Sequence, residues 1–331
     1  MAGCTSSAGL ADLAPRPSME TTSSIPRPEA PVKATSPAAQ IASASGVTEE
    51  ADVEDLPNPE PAALVEPGKP VAASLALAAP PVRPSVVAKA FRRGVVQERR
   101  FRDAKPIDFG KRSPKHLAVH GVDVSRWQGD IDWEKLRSQG ANFVYIKATD
   151  GGDHVDPMFR KNWRNAADAG LKRGAYHFFY WCRVASEQAD WFIRNVPRDY
   201  GALPPVIDVE WNHESSCKRR PSRATVLDKM QVFMDRLERH YGQRPIIYTS
   251  PDFYRDNLRG AFPDHPFWLR SVAAHPQKVY PGRDWLFWQY SGSGLSHGVS
   301  GRVDLNAFNG DESDWWAWLA RMGGSSQMAG N

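Results

Sequence analysis

Residues 204–211 read Pro204-Pro-Val-Ile-Asp-Val-Glu-Trp211. β-Branched residues suit a pleated strand, and residues two apart in a strand point to the same face. Val206, Asp208 and Glu210 therefore share one face, while Ile207 and Val209 share the other. The two acids sit roughly 6–7 Å apart at Cα, from the rise per residue. One face of this strand is fit to meet covering helices, and the other ends in two carboxyl groups.

Seven further apolar runs have strand character, at 119–123, 143–149, 174–180, 245–249, 266–269, 285–290 and 302–305. Helical periodicity fills several of the gaps between them. The spacing predicts a helix over 132–139 with Gly140 as its stop. A second is opened by Asp156-Pro157 and closed by Gly170. A third runs over 186–196 with Ser186 as N-cap, and a fourth over 222–241 with Gly242 as stop. A short fifth helix covers 251–259, and a last one 312–322 carries Trp315, Trp316 and Leu319. Alternating buried strands and helices imply an α/β fold with a parallel sheet. About eight strands with too few helices predict a modified TIM-like barrel, its helix set incomplete.

The chain has 331 residues, and all 12 Trp and all 9 Tyr lie after residue 120, whereas 16 of 27 Pro lie before it. A Pro- and Ala-rich stretch without large aromatics cannot offset its chain entropy by burial. Residues 1–115 are therefore expected to be a disordered tail ending in a basic linker from 91 to 115, residues 116–322 the folded barrel, and 323–331 a flexible end. On this expectation, removing 1–115 leaves the thermal midpoint nearly unchanged. The net charge of +4 gives no support for a dedicated nucleic-acid binder, and no apolar run approaches the length of a membrane span. Met1-Ala-Gly-Cys4 resembles the end of a bacterial lipoprotein signal, which makes Cys4 a candidate lipid anchor. Cys182 and Cys217 each follow a strand; a disulfide between them and two free thiols are the alternatives.

Acids recur at strand ends: Asp123 in the first strand, Asp208 and Glu210 in the fourth, Asp304 in the last. In a barrel of parallel strands the carboxyl ends form the active face. Carboxyl groups clustered there raise one another's proton affinity, so one holds a proton while a neighbour stays ionised. A protonated donor beside an anion is what cleavage of a glycosidic bond requires. Asp208, Glu210 and His213 offer a second arrangement, as ligands of a hard cation. No zinc spacing, no Gly-x-Ser-x-Gly elbow and no phosphate-binding loop is present, so neither a metal nor a cofactor is expected.

An ordered set of segments resembles the family 25 glycoside hydrolases, lysozymes that cut peptidoglycan. It comprises Gly121-Val-Asp-Val-Ser-Arg-Trp-Gln-Gly129, Phe143-Val-Tyr-Ile-Lys-Ala-Thr149, Asp156-Pro-Met-Phe159, Ala169-Gly-Leu-Lys-Arg-Gly-Ala-Tyr-His-Phe-Phe179, Pro205-Val-Ile-Asp-Val-Glu210, Ile247-Tyr-Thr-Ser250, Trp288-Gln-Tyr290 and Val303-Asp-Leu-Asn306. The resemblance implies hydrolysis of the β-1,4 bond between N-acetylmuramic acid and N-acetylglucosamine with retained configuration. Glu210 would donate the proton, Asp208 would stabilise the reacting sugar, and Asp123 and Asp304 would complete the acid set.

Tyr248 and Gln289 match family positions and are expected to hydrogen-bond sugar, with packing as the alternative; His177 and Trp211 are expected either to touch substrate or to pack. Lys147 is expected to pair with one of the cleft acids. Where the family often carries Trp-x-Ala, this chain has Trp268-Leu-Arg-Ser271. The expected partner is the peptidoglycan glycan strand, met by a monomer in the bacterial envelope or periplasm. A catalytically weak glycan-binding protein on the same fold is the alternative.

Overall fold

The computed structural model describes residues 94–212 and 219–328, with side chains up to residue 322. Among these residues, eight strands close a barrel: β1 (His120–Val124), β2 (Phe143–Asp150), β3 (Lys172–Phe178), β4 (Val206–Val209), β5 (Ile246–Thr249), β6 (Phe267–Arg270), β7 (Phe287–Leu295) and β8 (Val303–Phe308). They neighbour one another in chain order, and β8 pairs with β1 to close the ring. Neighbours from β1 to β7 are parallel. β8 runs antiparallel to both β7 and β1.

This last strand corrects the expectation of a wholly parallel sheet. A parallel crossover needs a dozen or more residues, and only residues 296–302 separate β7 from β8. The chain must turn back. The reversal brings the start of β8, with Asp304, to the same rim as the carboxyl ends of the other seven strands.

Helices α1 (Trp133–Ser138), α2 (Phe159–Asp168), α3 (Ala185–Asn195) and α4 (Arg223–Tyr241) lie in the connections of the first half. Asp132 caps α1 by accepting the Lys135 N–H, and Ser222 caps α4 by accepting the Thr225 N–H. Gly242 ends α4 at φ +68°, a left-handed conformation that costs glycine little. Ser186 is not an N-cap. α3 starts a residue earlier behind Val184 without a side-chain cap, and Gln188 in its first turns holds both the N–H and the carbonyl of Tyr180. After β5 only short helical turns remain until α5 (Glu312–Met328), which runs past the expected end at 322.

Two apolar layers form. Ile207, Val209, Val144 and Ile146 pack outward against α2, α3 and α4, together with Phe192, Phe233 and Leu237. Inside the barrel lie Phe143, Tyr145, Tyr176, Val206, Tyr248, Trp268, Phe287 and Phe308, joined by Trp315 of α5. Phe143 stands 4.8 Å from Phe287 and 5.6 Å from Trp315 between ring centroids. Phe143, Phe287, Phe308 and Trp315 occupy the amino-terminal end of the barrel, so α5 closes that end and the opposite rim is left for polar groups. The Tyr145 ring fits because its register partner is Gly174, where a Cβ would stand 2.2 Å from the ring.

The amino-terminal boundary moves. Residues 1–93 lie outside the described residues, but 94–115 are not a loose linker. Gln97 and Asn142 exchange hydrogen bonds, and the Arg100 N–H reaches the Gln139 carbonyl at 2.8 Å. Arg102–Asp103 forms a short strand along Leu295 and Gly294 of β7. Phe101 is only 4% exposed, and Phe109 packs edge-on against Trp288 at 4.9 Å. The basic residues of this strap interleave with apolar anchors, which is why composition alone reads as solvated linker. Phe101→Ala should cost about 3 kcal/mol or more in the unfolding free energy measured by denaturant titration, as is usual for buried Phe. A protein lacking residues 1–115 should melt well below one lacking only 1–93; equal midpoints would show the strap contributes nothing.

Candidate active site

The carboxyl rim carries the four acids that sequence spacing singled out. Asp208 and Glu210 follow Val206 on the inward face, 3% and 1% exposed. Their backbone is pinned from outside: the Phe179 N–H donates to the Asp208 carbonyl at 3.0 Å, and the Trp181 indole N–H to the Glu210 carbonyl at 3.0 Å. Across the barrel, Asp123 of β1 faces Asp304 of β8 in direct register.

The two pairs differ in how they are held. Asp123 Oδ2 accepts the Gln289 amide at 2.9 Å and the Asn306 amide at 2.7 Å. Each amide is itself oriented. The Tyr248 hydroxyl donates to Gln289 Oε1 at 3.0 Å, and the Trp268 indole N–H to Asn306 Oδ1 at 2.8 Å. A chain of five side chains from four different strands and β1 thus fixes one carboxyl group. Such buried networks are rigid because every member is satisfied. Asp208, in contrast, leaves Oδ1 buried without a hydrogen-bond partner. A buried acceptor in that state is costly and is suited to meet a substrate group or a proton.

Burial raises the proton affinity of all three of these Asp carboxyls. Asp208 lies well above the usual carboxylate range, first through burial and then through the charge of Glu210, with Lys147 opposing. Asp123 is pushed up to about 6 by burial, against the pull of its amide donors and a proton shared with Asp304. Asp304 is raised well up by burial and by the charge of Asp123, with Arg270 opposing. Neighbouring carboxyls of this kind oppose one another's ionisation, which favours a mixture of protonated and ionised groups.

Other expected residues fall in two groups. Tyr248 and Gln289 lie inside the pit, as the network shows. His177 lies in the outer layer: fully buried, it bonds Thr149 Oγ1 at 2.7 Å and Gln188 Oε1 at 3.1 Å and stacks on Phe233 at 4.9 Å. Burial pushes its pKa down to about 4, which keeps it neutral. Trp211 is also outside, with its indole N–H on Asp256 at 2.9 Å and its ring against Phe253. Alternation explains both placements, since Trp211 follows inward Glu210 and His177 follows inward Tyr176. Their positions give them packing roles. Lys147 points inward, but its ion pair is with Asp150 at 2.9 Å, at the end of its own strand. Cys182 is disulfide-bonded, while Cys217, His213 and Cys4 lie outside the described residues. Among the described residues no group of three or more His, Cys, Asp or Glu is placed to hold a metal ion, and no helix is long and apolar enough to cross a membrane.

Sequence reasoning missed Arg270, Asn306 and Asp150. The signal for the first two was available: Arg270 shares its face with inward Trp268, and Asn306 shares its face with Asp304.

The family model for glycosyl hydrolases family 25 matches residues 122–299. The chain belongs to glycoside hydrolase family 25. As a member of that family it is a glycosidase of the lysozyme type. Among relatives, it is 39% identical over 228 residues to the protein named Uncharacterized protein YegX of Escherichia coli K12, covering 66% of this chain and 80% of that one. It is 37% identical over 200 residues to Lysozyme M1 of Streptomyces globisporus, covering 58% of this chain and 68% of the lysozyme. The solved family 25 glycosyl hydrolase of Bacillus anthracis superposes with a TM-score of 0.57 at 40% identity, over 60% of this chain and 92% of that one. The family match contains every acid of the pit except Asp304, which lies just past its end.

Proposed function

We propose that this family 25 enzyme cleaves the β-1,4 bond between N-acetylmuramic acid and N-acetylglucosamine in peptidoglycan. Glu210 gives its proton to the leaving oxygen. Asp208 stabilises positive charge on the reacting sugar by orienting its acetamido group as an internal nucleophile, one of the recognised routes for acetamido sugars. Glu210 then takes a proton from the incoming water, and configuration is retained. The observation that carries this reading is the pairing of Asp208 and Glu210 two residues apart on one inward face, both buried, with the charge of Glu210 opposing ionisation of Asp208. One shared proton on that pair is the reactive proton. Asp123, held by the Gln289 and Asn306 amides, and Asp304 beside it position the sugar and keep the opposite wall negative. Tyr248 and Gln289 act through Asp123.

Work on peptidoglycan places the enzyme in the cell envelope. The disulfide at Cys182 fits an oxidising compartment, and a lipid anchor at Cys4 would hold it there. Mass analysis of released fragments should find N-acetylmuramic acid at the new reducing ends. Proton NMR during early turnover should show the β anomer first, before mutarotation. Reducing-end N-acetylglucosamine would overturn the bond assignment, and an initial α anomer would overturn retention.

A further inference from the structure

Glu210 stands directly after the last residue of its strand. The register of β4 ends at Asp208 against β3 and at Val209 against β5, so strand pairing stops short of the proposed proton donor. The Trp181 indole N–H meets the Glu210 carbonyl at 3.0 Å, and both residues are buried. A peptide group is planar and moves as a unit. A donor on this carbonyl therefore fixes the turn of backbone from which the carboxyl side chain projects. Trp181 is itself held on several sides. Its ring lies in the outer layer and stacks on Phe253 at 4.9 Å between centroids, with Phe179 at 4.8 Å and Trp211 edge-on at 6.0 Å. Its backbone is tied to α4, where Lys229 Nζ donates to the Trp181 carbonyl at 2.8 Å and to the Arg183 carbonyl at 2.7 Å. Between those two carbonyls lies Cys182, which is disulfide-bonded. The neighbouring indole of Trp211 donates elsewhere, to Asp256.

We propose that Trp181 is a positioning residue for the proton donor: its indole N–H takes over where strand pairing ends and sets the backbone from which the Glu210 carboxyl reaches the leaving oxygen. The proposal deepens the reading of Glu210 as proton donor and rests on it. Trp181 acts from the outer layer, through the backbone of β4, and not on the sugar. A general acid must stand within hydrogen-bond reach of the oxygen it protonates, and a misplacement of about 1 Å can cost about 100-fold in rate. Support of this kind comes from groups whose own positions are locked by packing and further hydrogen bonds. Phe253 and Lys229 supply both for Trp181, one at the ring and one at the backbone.

The test replaces Trp181 in the full-length protein by benzothienylalanine, which keeps the shape of the ring and lacks the N–H. On soluble peptidoglycan fragments kcat should fall about tenfold, with KM and the melting midpoint nearly unchanged. Trp181→Phe should lose at least as much, and it decides if the analogue does not fold. The same replacement made on Glu210→Gln should cost nothing further, because Trp181 acts through Glu210. An unchanged kcat in a folded variant, a loss that falls on KM alone, or a loss repeated in full on Glu210→Gln would each overturn the proposal. The bond itself is read without turnover, as NMR coupling across the hydrogen bond from the indole nitrogen to the Glu210 carbonyl carbon; absence of that coupling in the wild type would overturn the proposal too. Retained activity in Glu210→Gln alone would sink the donor reading and the proposal with it. A failure at Trp181 beside an inactive Glu210→Gln would leave the donor reading standing.

Discussion

Glu210→Gln should lower turnover of peptidoglycan by about 100-fold or more, the usual share of general acid catalysis. Gln keeps the shape of Glu but cannot hand over a proton and recover it in each cycle. The side chain is almost wholly buried on the inward face of the barrel, and its charge is felt by Asp208, Tyr248 and Asp304. Removing that charge relieves repulsion, so the variant should fold normally. Initial rates of turbidity loss, with circular dichroism as a check on folding, measure both halves of the expectation. A folded variant with most of its activity would reject Glu210 as the donor.

Asp208→Asn should be as damaging to turnover and have the opposite effect on stability. The carboxyl that stabilises the reacting sugar becomes a neutral amide, so the loss should again be about 100-fold or more. Stability follows from the direction of the Asp208 shift. Its folded-state proton affinity lies well above the usual carboxylate value, so between that ordinary value and the raised one the folded protein binds a proton that the unfolded chain does not. Stability therefore falls as pH rises through this window, so the burden grows from the ordinary carboxylate value upward. Asn carries no such burden. The variant should melt about 3 °C or more above the wild type at pH 7, given roughly 2–4 °C per kcal/mol for a domain of this size. The gap should close as the pH approaches 4. A lower midpoint at pH 7 would show that the Asp208 carboxyl is stabilised by its surroundings, against the direction of its shift. A raised midpoint with lost activity is the signature of a group kept for chemistry at a cost to folding.

Much of the site was readable because it rests on a local rule. Alternation along Val206, Asp208 and Glu210 places both acids on one face whatever surrounds them, and the structure keeps them there. The same rule places Trp211 outside, and would have placed Arg270 and Asn306 inside once Trp268 and Asp304 were known to face in. His177 was ambiguous for a different reason. β3 is buried on both faces, with Tyr176 and Phe178 inward and Ala175 and Phe179 outward, so hydrophobicity could not say which side was the pit. The strap of residues 94–115 misled composition because its few anchors, Phe101, Phe109 and Pro114, are spaced among many charges.

The sequence by itself determined the strand set, the apolar layer against the helices, the paired acids of β4 and the ordered segments that mark the family. Each depends on residues close together in the chain. Only the tertiary structure decided that β8 runs backward and lifts Asp304 to the acid rim, that four side chains form a hydrogen-bond network around Asp123, and that Arg270 stands among the carboxyl groups. Those facts join residues as far apart as Asp123 and Asn306, and closure of the barrel is what brings them within bonding distance. Proton affinities belong to the same class, because burial and neighbouring charge exist only once the ring has closed.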